Sequence, residues 1–507
     1  MSKQNGGIIG PDNVTTGGFN GVASGVFKLG EVTKLIRESK WPQVSPFTDT
    51  VPNSCRFNNA SSDNLSLSGS SGGSTTKFTR SFWIKRSTIT VQQYLMDNSG
   101  ETQIFFKLNA DDTFSLGIYA SSAYSTELIA TRKLRDTSAW YHFVIAIDYT
   151  NSTQAYRARI YVNGVEITSF STETRPGNTS TTFNTFNSSK THYISSNGGG
   201  NHFLGGYLAE VVHIDGQQLT PTSFGEFNSD SGIWIPKTIT GLTFGTKGFH
   251  LDFKNSSALG NDVSGNNLDY TANNLTSLDQ STDSPSNNFA TMNPLDNYYA
   301  SATFTEGNTT TNITSSSIET YNLSTIGVSS GKWYAECKVE TTSKNTHIGI
   351  VSESSKSTGD YVGIDASGYG YAGGTAASGN KWNNGSQTSY ANNYTTNDII
   401  GVAMDLDNNK IYFSKNGTFQ NSGDPTSGAT GTGAAFTITA SSSTPDRVYY
   451  FAGGKRSNDT VKLNWNFGSP SFAISSGNQD GNGFGNFEYA VPSGYLSLCT
   501  NNLNILE

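Results

Sequence analysis

The stretch Arg159-Ile160-Tyr161-Val162-Asn163-Gly164-Val165-Glu166-Ile167 decides how this chain is read. Two runs that suit extended backbone meet across Asn163-Gly164. Asn-Gly tolerates the positive φ angles that a two-residue hairpin turn demands, so the stretch is two antiparallel strands and a tight turn. Lys415-Asn416-Gly417 repeats the device much later. Around the first hairpin lie further alternating runs: Phe78 to Lys85, Gln103 to Leu108, Thr113 to Tyr119, Trp140 to Ile147 and Ala158 to Val162. Around the second lie Lys332 to Glu340, Thr346 to Val351, Ile399 to Asp405, Lys410 to Ser414 and Val448 to Ala452. No helical pattern separates these runs. Parallel strands need a crossover of about a dozen residues or more, usually helical, so a parallel α/β fold is excluded. The expectation is all-β: two antiparallel β-sandwich domains in tandem, preceded by a short N-terminal arm and helix.

Composition agrees. The chain has 507 residues, too many for one core. Only 34% are hydrophobic and 14% charged, yet 12% are aromatic, with 29 Phe and 24 Tyr. Disordered chains are charge-rich and poor in aromatics, so the pattern suits strands linked by Gly-, Asn- and Ser-rich turns. The net charge is -8, with the charges scattered, and no Lys/Arg track exists for a phosphate backbone. Nucleic acid is not an expected partner. Cys55, Cys337 and Cys499 are far apart, without CxxC spacing, which argues against a disulfide scaffold or a zinc site and for small buried residues. Met1 to Gly7 carries no apolar run behind its lysine, so no signal peptide is expected, and no stretch suits membrane insertion.

The organisation divides as follows. Residues 1–47 form the arm and a short helix over Phe27 to Lys40, where Leu29, Val32, Leu35 and Ile36 recur at helical spacing before Trp41-Pro42. Leu29, Val32, Leu35, Ile36 and Trp41 are the candidates for an attachment or oligomer contact; a helix capping the first sandwich is the alternative. Residues 48–253 form the first sandwich, 254–299 a polar connector, 300–472 the second sandwich, and 473–507 a C-terminal extension.

The first β region resembles the laminin-G/concanavalin-like lectin superfamily. The resemblance rests on Phe78 to Lys85, Trp140-Tyr141-His142-Phe143-Val144, Ile160 to Gly164 and Gly205-Gly206-Tyr207-Leu208-Ala209-Glu210-Val211, in the expected order. It implies a two-sheet jelly roll whose loops often bind glycans, sometimes with calcium. The second region resembles a SPRY domain through Gly331 to Glu336, His347 to Val351, Asp398 to Val402, Asp405-Leu406-Asp407 and Ile411 to Gly417. That resemblance implies a binding module without catalytic activity. The series as a whole is similar to structural proteins of tailed bacteriophages. Leu259 to Asn266 stands where their connector would, and Pro492 to Thr500 looks like the same ending. This implies a virion location, other virion proteins as partners, a homotrimer, and a tail or head fibre that meets host cell-surface glycan. Two alternatives stand beside it: a decoration protein with purely architectural contacts, and a polysaccharide depolymerase.

No catalytic residue is expected. Concanavalin-like glycosidases place their acids as Glu-x-Asp-x-x-Glu or close to it on one strand, and the first region has no such motif; Glu166 and Glu210 stand alone in the sequence. His142, His192, His202, His213, His250 and His347 include no pair at metal spacing. No cofactor is expected. Calcium is approached by Asp405-Leu406-Asp407-Asn408-Asn409 and by Asp480-Gly481-Asn482-Gly483, but neither motif is complete, and both read more readily as turns. Ligand contacts are expected on sandwich loops. In the second region Tyr371, Trp382, Asn383, Asn384 and Tyr390 combine rings that cover sugar C–H faces with amides that bond hydroxyls. Against this, aromatics are more often buried than displayed.

Overall fold

The first hairpin forms as its residues dictate. Val162 pairs with Val165, and Asn163 and Gly164 hold φ of 50° and 77°. A Cβ on Gly164 would stand 2.4 Å from the Trp234 ring, so the turn needs glycine for packing as well as for φ. The computed structural model of the protein describes residues 51–506 and the strands Gly7–Ile9 and Val26–Lys28. Within 51–506 it leaves out residues 69, 99–103, 121–122, 184–185, 187–189, 199, 229–230, 297–301, 315–316, 343, 353–359 and 443–446.

Among the described residues, two eight-stranded sheets make the first sandwich. One runs Val165–Glu166, Ala158–Val162, Trp140–Asp148, Lys77–Arg86, Gly206–Asp215, Ser54–Phe57, Gln280–Ser281, with Phe249–Leu251 also on Gly206–Asp215. The other runs Phe170–Thr174, Ala123–Ala130, Phe114–Ala120, Ile104–Leu108, Gln93–Asn98, His192–Ile194, Asn64–Leu67, Thr271–Asn273. Alternation sends Phe82 and Phe143 inward from the first sheet and Phe106 and Phe114 from the second. The ring of Phe143 lies edge-on to both Phe106 and Phe114 at 5.1 Å. Burying each such side chain contributes about 1.5–3 kcal/mol.

The second sandwich pairs a nine-stranded sheet, centred on Val461–Asn466, Lys332–Thr341, Ile399–Asp405 and Lys410–Lys415, with a six-stranded one. The latter runs Thr320–Leu323, Tyr449–Lys455, Thr346–Ser352, Gly368–Gly373, Asn380–Asn383, Ser386–Ser389. Trp333, Trp465, Phe451, Tyr371 and Phe413 fill the space between. The C-terminal extension packs here too: Leu496–Ser497 runs parallel to Lys332–Thr341, the one parallel pairing among the described residues. Phe487, Tyr495 and Leu498 are buried, as are all three cysteines, which are free.

The polar segment between the sandwiches is built into both. Thr271–Asn273 extends one sheet of the first sandwich beside Asn64–Leu67, and Gln280–Ser281 extends the other beside Ser54–Phe57. Several of its buried polar side chains bond to the first sandwich. Lys85 Nζ reaches Asp283 Oδ2 and Asn288 Oδ1 at 2.7 Å and the Phe289 carbonyl at 3.0 Å. Asp283 also accepts from Trp140 Nε1 at 3.1 Å. Further on, Met292 is in the second core, the Ala290 amide donates to the Leu498 carbonyl, and Ser281 and Ser469 hydroxyls meet at 2.7 Å. Direct bonds cross as well: the Tyr207 hydroxyl donates to the Gly307 carbonyl at 2.9 Å, and Asn58 Nδ2 donates to Glu306 Oε1 at 2.6 Å. The two sandwiches are therefore bonded to each other and to the segment between them.

At the N-terminus the helix expected over Phe27 to Lys40 does not begin at Phe27. Val26–Lys28 is a strand paired with Gly7–Ile9, and the Cα partners include Ile8 and Phe27. The attachment candidates Leu29, Val32, Leu35, Ile36 and Trp41 lie outside the described residues. No helix among the described residues is long and apolar enough to cross a membrane.

Candidate binding site

The five ligand-contact candidates of the second sandwich do not share a surface. Register opposes Lys381 to Tyr371 and Trp382 to Gly370, so with a period of two Tyr371 and Trp382 take opposite faces of their sheet. Tyr371 belongs to the core, among Tyr394, Tyr390 and Phe413, and its hydroxyl donates to the Asn392 carbonyl. Trp382 is only 4% exposed. Its ring is enclosed by Tyr361 and His347, both at 5.5 Å, and by the Arg456 guanidinium at 4.4 Å. Asn383 Nδ2 is spent on the Gly368 carbonyl at 2.8 Å. Tyr390 is half-buried against Tyr371, and Asn384 alone is exposed. Asn384 and Gly385, with φ of 52° and 69°, form the turn of a third Asn-Gly hairpin. That dipeptide was the signal in the sequence that these amides serve a turn.

The acids of the calcium-like stretches are occupied by protein donors. Asp405 is buried; it accepts from the Asn408 amide and Asn408 Nδ2, both at 2.9 Å, and pairs with Lys332 at 3.1 Å. Asp407 takes the Gly331 amide at 2.8 Å. Asp480 accepts from the Asn482 and Phe484 amides on one oxygen and from Ser497 and Asn502 on the other. These are turn and strand-end anchors. Nor do Glu166 and Glu210 stand alone once folded: Glu166 forms a two-pronged pair with Arg159, and Glu210 meets His250 Nε2 at 2.6 Å.

The strand histidines serve the core. His142 Nδ1 accepts from Trp234 Nε1 at 3.0 Å, which leaves Nε2 to donate to Ser81 Oγ at 2.8 Å. Burial pushes it down to about 3. His347 donates from Nδ1 to the Val362 carbonyl at 3.0 Å, and burial pushes it down to about 4. Both rings are neutral at pH 7; His142 stacks between Trp83 and Trp234, and His347 packs edge-on to Tyr361.

A cleft does open where the sandwiches meet. It has a volume of about 290 Å³, near the lower end of the range for small-molecule sites. Arg56, Ser61 and Asp63 line it from the first sandwich, Asn274, Thr276, Leu278 and Asp279 from the connecting segment, and Glu306, Glu340, Lys462, Asn464 and Ser471 from the second. Arg56 is its hub. One nitrogen donates to the Leu278 carbonyl at 2.5 Å and another to the Pro470 carbonyl at 3.3 Å, while Asp279 and Glu306 lie at 3.7 and 3.6 Å. Lys462 and Glu340 pair at 2.6 Å on the far wall. Burial pushes the Asp63 carboxyl up to about 6. These residues span most of the chain, so no local motif could have announced them.

Residues 59–222 match the concanavalin A-like lectin/glucanases superfamily, and residues 332–451 match the SPRY domain family. The chain thus carries a concanavalin A-like domain followed by a SPRY domain. Among solved structures, the SPRY domain of human HERC1 is 20% identical, over 34% of this chain and 96% of that one, with a TM-score of 0.26. The native heptameric SAP-like pentraxin from Limulus polyphemus is 14% identical, over 34% of this chain and 80% of that one, with a TM-score of 0.25. No curated protein matches the chain.

Proposed function

We propose that this chain is a structural protein of a tailed-bacteriophage virion, a fibre or adhesin that presents its two sandwiches to the host surface as binding modules. The observation that carries this reading is the joint between the domains. A largely polar segment is knitted into the edges of both sheets of the first sandwich and locked by the buried Lys85–Asp283 pair, which suits a stiff display element. The resemblance of the whole series to phage structural proteins supports the setting, and a homotrimer is the assembly it implies. A binding role is supported by the acids of the calcium-like stretches and the strand histidines, which are spent on turns, strand ends and ring packing.

The test is location. An antibody against the full chain should label purified phage particles, and a density map of those particles should accommodate two adjoining sandwiches. Particles that lack the chain would refute the reading. A depolymerase has one observation in its favour, the carboxyl groups of Asp63, Asp279, Glu306 and Glu340 around a single cleft. Release of reducing ends from host polysaccharide separates that reading from adhesion.

A further inference from the structure

The buried lysine at the joint has a second partner besides its counter-ion. Lys85 Nζ lies 2.7 Å from Asp283 Oδ2 and also 2.7 Å from Asn288 Oδ1, the side-chain carbonyl oxygen. A carbonyl is about 1.23 Å long, so Nζ stands within about 4 Å of the amide carbon, Asn288 Cγ. That approaches the separation of about 3–3.5 Å from which bonds form. Asn288 and Asp283 are both held from behind. Asn288 Nδ2 donates to the Ser138 carbonyl at 2.7 Å, and the Asn288 backbone amide donates to Thr500 Oγ1 at 3.0 Å. Asp283 Oδ1 accepts from Trp140 Nε1 at 3.1 Å, and the Tyr207 ring lies 5.8 Å from Nζ. The side chains of Lys85 and Asp283 are each 1% exposed. An amine, a carboxyl and a carboxamide thus meet beside aromatic rings, away from water. Desolvation and an adjacent base are what activate an amine as a nucleophile.

We propose that Lys85 and Asn288 join through an intramolecular isopeptide bond, with Asp283 as the catalytic acid–base group. One proton passes from Nζ to Asp283 Oδ2, and the freed electron pair of Nζ attacks Cγ of Asn288. Burial pushes the Asp283 carboxyl up, which suits it to hold that proton. In the adduct Nζ and Nδ2 share one carbon, so a carboxyl bonded to the first is beside the second. Asp283 gives its proton to Nδ2 and takes the second proton from Nζ. The Cγ–Nδ2 bond breaks, ammonia leaves past the half-buried Asn288, and a neutral amide and a protonated Asp283 remain. Atoms and charge balance without any further reactant. A buried charge pair, which is costly to desolvate, gives way to uncharged groups. Held geometry of this kind is worth an effective concentration of about 10⁵ M or more. The bond joins positions 203 residues apart and ties the central strand Lys77–Arg86 covalently to the segment that leads into the second sandwich.

The bond goes beyond the display role and does not depend on it. Intact-mass spectrometry of the folded full chain is the test. The wild type should weigh less than its sequence by one ammonia, and a proteolytic digest should contain a branched peptide joining Lys85 to Asn288. The ion pair with Asp283 is the arrangement from which the bond forms, and it stands unreacted in Asn288→Ala. That variant should therefore show neither the mass loss nor the branched peptide, with its near-UV circular dichroism spectrum as the check on folding. Asp283→Asn, of nearly the same size, should form the bond at least about a hundredfold more slowly. A folded wild type at its full sequence mass would overturn the proposal. So would ammonia lost without a branched peptide, as when an asparagine cyclises onto its own backbone, or a loss that persists in Asn288→Ala. Bond formation in Asp283→Asn at the wild-type rate would overturn the role given to Asp283.

Discussion

Lys85 Nζ lies 2.7 Å from Asp283 Oδ2, with each side chain only 1% exposed. The pair fixes the segment between the domains to the central strand Lys77–Arg86 of the first sandwich. Removing one partner leaves a buried charge uncompensated, which costs about 3–5 kcal/mol, whereas an apolar pair of similar size is often neutral. Lys85→Met should therefore lower the denaturation midpoint strongly, and Lys85→Met with Asp283→Leu should restore most of the loss. Guanidinium chloride unfolding of the three proteins checks both.

Glu336 gives the second sandwich a pH-dependent joint. It is fully buried and accepts the amides of Glu488 at 3.0 Å and Tyr489 at 2.8 Å, which holds the C-terminal extension on the sheet. Burial pushes its carboxyl up from 4.5 to about 7. A carboxyl raised on folding binds its proton more tightly in the folded state, so its contribution is complete below pH 4.5 and is lost as pH rises through 7. The loss across that window is about 3 kcal/mol. Stability measured in urea at pH 5 and pH 8 should show this fall for the wild type and a flatter response in Glu336→Gln.

Trp382→Ala should act on stability before it acts on any ligand. The ring it removes is enclosed by Tyr361, His347 and Arg456. Truncating a buried Trp costs about 3–5 kcal/mol. Thermal unfolding should show a large drop, and binding lost in this variant would report unfolding rather than a missing sugar platform.

Gly164→Val should disturb the first hairpin. The glycine has φ of +77°, and its Cβ position is 2.4 Å from the Trp234 ring. Left-handed strain and overpacking together should cost about 2–4 kcal/mol. The variant's denaturation midpoint, set against Asn163→Asp, which the same turn tolerates, checks it.

Much of the fold was legible because its signals are local. Alternation located Ala158–Val162 and Ile399–Asp405 to the residue, and Asn-Gly located both tight turns. What escaped is set by tertiary partners. Trp382-Asn383-Asn384 has the composition of a sugar platform, yet register puts its ring beneath Arg456 and gives Asn384 to a turn. Thr271–Asn273 and Gln280–Ser281 are too short and polar to read as strands; they pair because Asn64–Leu67 and Ser54–Phe57 offer open edges. Glu210 seemed isolated only because His250 is 40 residues away in sequence. The cleft joins residues from Arg56 to Ser471, a convergence that no window of sequence contains.

The most direct test is to incubate the protein with surface polysaccharide from the bacterial host that the proposed role implies, and to measure retained polysaccharide and free reducing ends in the same sample. Retention without new reducing ends is the result expected of a display protein that binds and does not cut. Steady release of reducing ends, abolished by one substitution among Asp63, Asp279, Glu306 and Glu340, would contradict it.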